Sequence, residues 1–259
     1  SKSLPNMVGR HETGCIAINA QAGETLDLAL ECYAFHDMPG TMPFEEKSLP
    51  DYTYATGPMD ICTRDNELAA FLYDLQTLLE LADALPETSF RRAAVENALY
   101  DAHLRLLYDP DACTAAEFRD ALRAAHPPLL AQLAKRNGET TAFVGLTGHS
   151  HIDTAWLWPI KETEKKCART FANQLNLMAQ YPEYRFIQSS AYHADSIRRN
   201  YPGLFERIRE AVREGRWEPN GGVWVECDCN LTGGETMIRQ FLWGQRFTRE
   251  QFGYTSDCF

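Results

Sequence analysis

No apolar run in the sequence approaches the ~20 residues that a membrane span requires, and the first residues lack a signal-peptide layout. A basic surplus is also missing: 36 acidic against 25 basic residues leave a net charge of −11 over 259 residues. That balance argues against a nucleic-acid or anionic-membrane partner, which needs cationic side chains to neutralise phosphates. A neutral, hydroxyl-rich or cationic ligand stays compatible, and homo-oligomerisation is left open. There is no Cys-x-x-Cys pair and no dense framework among the eight cysteines, at 15, 32, 62, 113, 167, 227, 229 and 258. They read as reduced thiols, hence a soluble, cytoplasmic protein. Cys227-x-Cys229 is the only close pair, and alternate positions on a strand end explain it better than a soft-metal clip. Internal repeats, low-complexity tracts and a Gly-x-Ser-x-Gly elbow are absent as well.

What is present suits a folded chain: 44% hydrophobic and 24% charged residues, in a length for one large domain or two modest ones. Residues 1–60 read as the end of an N-terminal β domain plus a linker. Two strands at 14–20 and 25–32 flank a turn at Ala22-Gly23-Glu24, and a proline- and glycine-rich loop fills 36–60. Two strands alone are marginal in water, so they imply a larger sheet upstream. Residues 61–137 read as a helical connector of three amphipathic helices. Thr63 is the expected cap of the first, which carries Leu68, Phe71, Leu72, Leu75, Leu78 and Ala82 at helical spacing. The second fits 89–107. The third starts at Thr114 with Glu117 at the capping-box position, and Pro127-Pro128 is expected to interrupt it.

From 138 to 259 strands and helices alternate. Strands are expected at 141–147, 185–189 and 217–225, each leading into helix: 162–180, then 191–214 with a break at Tyr201-Pro202-Gly203, then 234–251. Such alternation implies an α/β fold, a parallel sheet flanked by helices with ligands outside the carboxyl ends of its strands.

The stretch from Gly148 to Trp156 sits at the first of those ends. In extended geometry His149, His151 and Asp153 leave one face, with Cα steps of roughly 6.5–7 Å. Three N/O donors could then converge on one ion with bonds of about 2.0–2.2 Å. The bland alternative is a polar strand end whose histidines cap carbonyls. Trp156 lies just beyond, where an apolar ring faces the mouth, and a flat indole suits the C–H face of a pyranose. At the third strand end Glu226 and Asp228 could contact sugar hydroxyls, extend a metal shell or serve in acid–base work. Alternatively they support the helix at Gly234, with Thr232 as its cap and Glu235 in its first turn. Ser189 and Ser190 read as partners of backbone groups, and His193 as an ordinary residue on a helix face.

The motifs Gly148–Pro159, Lys161–Arg169, Tyr201-Pro-Gly-Leu204, Gly221-Gly-Val-Trp-Val-Glu226 and Arg239-Gln-Phe-Leu242 together resemble family-38 glycoside hydrolases. These are retaining, metal-dependent α-mannosidases, and the resemblance is strongest to their cytosolic and bacterial branch. It implies a partial catalytic domain of glycoside hydrolase/deacetylase-like β/α-barrel type over 138–259. It further implies zinc, or a similar divalent metal, on His151 and Asp153. The metal would grip the 2- and 3-hydroxyls of a terminal α-D-mannosyl residue of an oligosaccharide, with Trp156 stacked beneath the ring. Asp228 matches an acidic position near the sugar hydroxyls. His149 matches a histidine that is not a ligand in the family, which trims the three-donor reading to two. The family nucleophile follows a segment resembling Phe252–Phe259, and Asp257 aligns upstream of it. The general acid and a further histidine ligand lie later still. The chain is therefore expected to be an N-terminal fragment without its catalytic carboxylates, inactive alone. A metal-dependent amidohydrolase or deacetylase-like enzyme, and a non-catalytic carbohydrate-binding piece, are the alternatives.

Overall fold

From residue 66 apolar side chains recur every three to four positions, and the chain folds there into three helices: α1 (Asn66–Ala84), α2 (Phe90–Arg105) and α3 (Ala115–Leu133). The structure, a computed structural model, describes residues 19–27, 60–109, 111–136, 144–156 and 158–258. It divides into two compact units, one of Ala55–Val144 and one holding Gly145–Phe259. Of the two strands expected at 14–20 and 25–32 and the turn between them, only 19–27 is described. Glu24 N–H closes a turn on the Gln21 carbonyl, at 3.1 Å, and Thr25–Asp27 is not strand. The remainder of those expected strands and the expected loop before residue 60 lie outside the described residues.

In the helical unit, Phe71 and Leu78 of α1, Val95 and Ala102 of α2, and Leu122, Ala125 and Leu129 of α3 form one core. Caps follow the side-chain rules with one change of residue. Asp65, not Thr63, caps α1, its carboxylate accepting the Glu67 and Leu68 amides at 3.0 and 3.1 Å. Those amide bonds hold the Asp65 carboxyl below its usual range. The Thr114–Glu117 capping box of α3 is formed as expected. The expected break at Pro127-Pro128 does not occur, and α3 runs on to Leu133. An interior proline costs about 3 kcal/mol. Here fully buried Ala125 and Leu129 straddle the pair, so burying both turns against α1 and α2 outweighs that cost.

The second unit alternates β1 (Gly148–His149), α4 (Ile160–Gln180), β2 (Phe186–Gln188), α5 (Ala191–Asn200), α6 (Pro202–Arg213), β3 (Trp217–Pro219) and α7 (Gly234–Phe252). The three strands form a parallel sheet in the order β1-β2-β3, with Gly148 opposite Phe186 and Ile187 opposite Glu218. Helices cross between successive strands, as parallel pairing demands. The core gathers Cys167, Phe171 and Met178 of α4 with Phe186, Ile197, Phe205, Ile208 and Trp217. The Trp217 ring meets Phe171 edge-on at 5.2 Å and Phe186 at 4.7 Å. Arg216 turns its guanidinium back to the end of α4, donating to the Met178 and Tyr181 carbonyls at 2.7 and 2.8 Å. A cation there complements the negative end of the helix dipole.

The strands are shorter than their sequence patterns. Residues 144–147 are not strand and 141–143 lie outside the described residues, so among the described residues pairing begins at Gly148. The third strand stops at Pro219 because residues 220–225 have another task. The Val223 and Trp224 carbonyls accept the Ala191 and Tyr192 amides at 3.4 and 2.8 Å, capping α5. Gly221 makes the bend with φ 144°, where an added Cβ would collide with the Ser189 carbonyl. Among the described residues no helix is long and apolar enough to cross a membrane.

Candidate functional site

The chain leaves β1 at His149, runs through residues 150–153 without strand pairing and bends at Thr154–Trp156. Ala155 takes the left-handed conformation, φ 60°, at a cost of roughly 1–2 kcal/mol for a residue with a Cβ. Thr163, in the first turn of α4 and fully buried, holds that bend. Its hydroxyl donates to the Asp153 carbonyl at 3.0 Å. It also accepts from the Ala155 amide at 2.9 Å and the Trp158 indole at 3.1 Å.

Just before the bend His151 Nε2 and Asp153 Oδ1 lie 3.0 Å apart, with 57% and 37% of their side chains exposed. Two atoms each about 2.1 Å from one tetrahedral ion stand roughly 3.4 Å apart, so this pair is near ligand spacing. The other ring nitrogen, Nδ1, faces Glu226 Oε2 at 3.5 Å. Three acidic or imidazole side chains thus gather, but with the histidine between its two carboxylates. They do not surround one point, and no group of three or more His, Cys, Asp or Glu among the described residues is arranged to hold a metal. His149 stands apart, its Nε2 3.3 Å from the Ser189 hydroxyl.

Trp156 projects into solvent, 56% exposed, and meets the buried Trp158 ring edge-on at 5.2 Å. Lys166 Nζ lies 4.3 Å over Trp158. Asp228 is exposed, and its carboxylate accepts the Asn230 amide of its own turn at 2.8 Å. α7 is capped by Gly233 without a side-chain bond, so neither Asp228 nor Thr232 serves as its N-cap. Ser190 is buried and donates to the Trp224 carbonyl at 2.9 Å, the backbone role expected of it. Cys227 and Cys229 do not occupy alternate positions of a strand: Cys229 lies in a turn, and the Cys227 thiol contacts Met237 Sδ at 3.4 Å.

Two residues matter that local patterns leave plain. His193, on α5, is buried with Nε2 2.8 Å from the Thr154 hydroxyl. Burial, reinforced by the nearby His151, lowers its pKa to about 4, so the imidazole stays neutral. Its signal was its place on the stripe with Ser196 and Ile197, which are also buried. Thr163 is the other. It heads the buried stripe Thr163, Cys167, Phe171, Gln174, Met178 of α4, a polar residue at the start of an apolar face.

Residues 142–259 match the model of the glycosyl hydrolases family 38 N-terminal domain. Over 204 residues, 79% of this chain and 18% of the relative, the sequence is 36% identical to alpha-mannosidase G of Dictyostelium discoideum. It is 37% identical to human alpha-mannosidase 2C1 over 205 residues, 79% of this chain and 19% of that protein. An alpha-mannosidase of Saccharomyces cerevisiae is 31% identical over 77% of this chain and 19% of its own length. The chain thus spans about a fifth of the length of these curated relatives.

Proposed function

Because residues 142–259 belong to the N-terminal domain of glycosyl hydrolases family 38, we propose that this chain supplies the metal- and sugar-gripping part of an α-mannosidase. The substrate class is terminal α-D-mannosyl residues of oligosaccharides, cleaved with net retention. The observation that carries the reading is the 3.0 Å approach of His151 Nε2 to Asp153 Oδ1 beside an exposed Trp156.

His151 and Asp153 would hold zinc or a similar divalent ion, an imidazole and a carboxylate being an ordinary donor pair for it. They fill two positions, which leaves others for sugar hydroxyls and further protein donors. When bound, the ion supplies a Lewis acid that grips vicinal hydroxyls and favours a flattened ring. The other roles belong to this chain's own groups. Glu226, facing Nδ1 at 3.5 Å, would favour the tautomer that keeps the proton there and leaves the Nε2 lone pair for the ion. Trp156 offers a flat apolar surface to the C–H face of the sugar. Asp228 stands free enough to accept a hydroxyl on the oxygen that its turn does not use.

The three parallel strands with their crossover helices fit the first part of a β/α barrel of glycoside hydrolase/deacetylase-like type, and the compartment that suits the free thiols is the cytoplasm. A retaining glycosidase needs two carboxyl groups about 5–5.5 Å apart. His151, Asp153, Trp156 and Asp228 are given binding roles and neither carboxyl role, so binding without turnover is what is proposed for the chain alone.

The test is zinc uptake by the metal-free chain, followed by competition with a chelator and by calorimetry with mannose. One ion should bind, His151→Ala and Asp153→Ala should each abolish it, and mannose should bind only with the ion present. Zinc uptake unaffected by both substitutions would sink the reading.

A further inference from the structure

We infer that Thr163 is a positioning residue for this site. Its single hydroxyl sets the course of the chain from Asp153 to Trp158, and through it the places of the Asp153 carboxylate and the Trp156 ring. The inference rests on the function proposed above and extends it to a residue outside the motif that holds the donors.

Three bonds converge on one oxygen: Asp153 O at 3.0 Å, Ala155 N at 2.9 Å and Trp158 Nε1 at 3.1 Å. A hydroxyl has one proton and two lone pairs, so this one is fully used, and each bond has only one possible direction. The partners come from alternate points of a single bend. The first is the backbone of the residue whose side chain meets His151. The second is the amide of left-handed Ala155, just before the exposed Trp156. The third is the buried indole on the far side.

Thr163 itself is anchored. It has no exposed surface, and it continues the stripe that carries Cys167 and Phe171 into the core. A β-branched side chain in a helix has few rotamers. The hydroxyl is therefore fixed to the core, and the bend is fixed to the hydroxyl. Without it Ala155 would be free to return to an ordinary conformation, carrying Asp153 away from His151. Groups that orient metal donors from behind typically alter affinity by roughly 10–100-fold when removed.

The experiment uses the whole chain and zinc alone as probe. Thr163→Val keeps the shape and removes the donor and acceptors. Thr163→Ser keeps the hydroxyl and removes the methyl. Zinc affinity, read by chelator competition, should fall roughly 10–100-fold in Thr163→Val and stay close to wild type in Thr163→Ser. A merely structural role would lower the melting temperature of Thr163→Val and leave the affinity of the folded protein unchanged. Equal affinity in Thr163→Val and wild type, or equal losses in both variants, overturns the inference. Wild-type protein that takes up no zinc overturns the proposed function and this inference with it. Should Thr163→Val fail to fold, amide exchange in metal-free wild type decides. The Ala155 amide should already be protected, and protection that appears only after zinc is added means that the ion, not Thr163, shapes the bend.

Discussion

Thr154 Oγ1 and His193 Nε2 meet at 2.8 Å across 39 residues of sequence, tying the bend after β1 to the first turn of α5. The imidazole is buried, and burial brings its pKa from 6.5 down to about 4.

Stability should therefore depend on pH through His193. The folded state keeps the ring neutral, while the unfolded chain takes up a proton below about pH 6.5. The contribution is complete above pH 6.5 and is lost as pH falls from 6.5 towards 4, over a span on the order of 3 kcal/mol. His193→Gln, which cannot titrate, should flatten this slope. Urea midpoints at pH 7.5 and pH 5, with chelator present, check it, and an unchanged slope refutes the assignment.

Gly221→Ala should be severe. The residue has φ 144° and a Cβ there would strike the Ser189 backbone carbonyl, which cannot swing aside. A loss of roughly 3 kcal/mol or more is expected. Gly203→Ala, in the first turn of α6 with nothing within 4 Å of its Cβ, is the control. It should be neutral or stabilise by about 0.4–1 kcal/mol. Equal denaturation midpoints for the two variants would contradict this account.

Thiol reactivity should divide sharply by position. Burial pushes the Cys167 thiol up to about 12, so almost no thiolate exists near neutral pH. Cys62, Cys229 and Cys258 are exposed. Iodoacetamide at pH 8, followed by peptide mapping, should label these three and spare Cys167 until the protein unfolds. Early labelling of Cys167 in folded protein would show that the α4 core is open.

Trp156→Ala should separate sugar binding from stability. The ring is more than half exposed, so its removal should change stability by no more than about 0.5 kcal/mol. Zinc uptake should persist, since both donors remain. Mannose affinity measured with zinc present should fall by roughly tenfold, equivalent to about 1.4 kcal/mol of lost stacking. An unchanged mannose titration would remove Trp156 from the sugar site.

Much of the α/β order was legible in the sequence because periodicity is local. α4, the α5–α6 break at Tyr201 and α7 all follow from apolar spacing and from Pro202, and β2 from a short apolar run before Ser189-Ser190. Legibility failed where distant groups compete for the backbone. Residues 220–225 pattern as strand, yet their carbonyls satisfy the start of α5. Pro127-Pro128 reads as a stop, yet Ala125 and Leu129 carry α3 through it.

The site divides along the same line. The sequence alone put an imidazole and a carboxylate two residues apart beside an aromatic ring, since spacing and residue type are written directly in the chain. Only the tertiary structure selected Glu226, rather than Asp228, as the acid facing His151, made Thr163 the pivot of the bend and buried His193. Hydrogen bonds form or fail within a few tenths of an ångström. Positions that fine are set by how helices pack on the sheet, which no local pattern records.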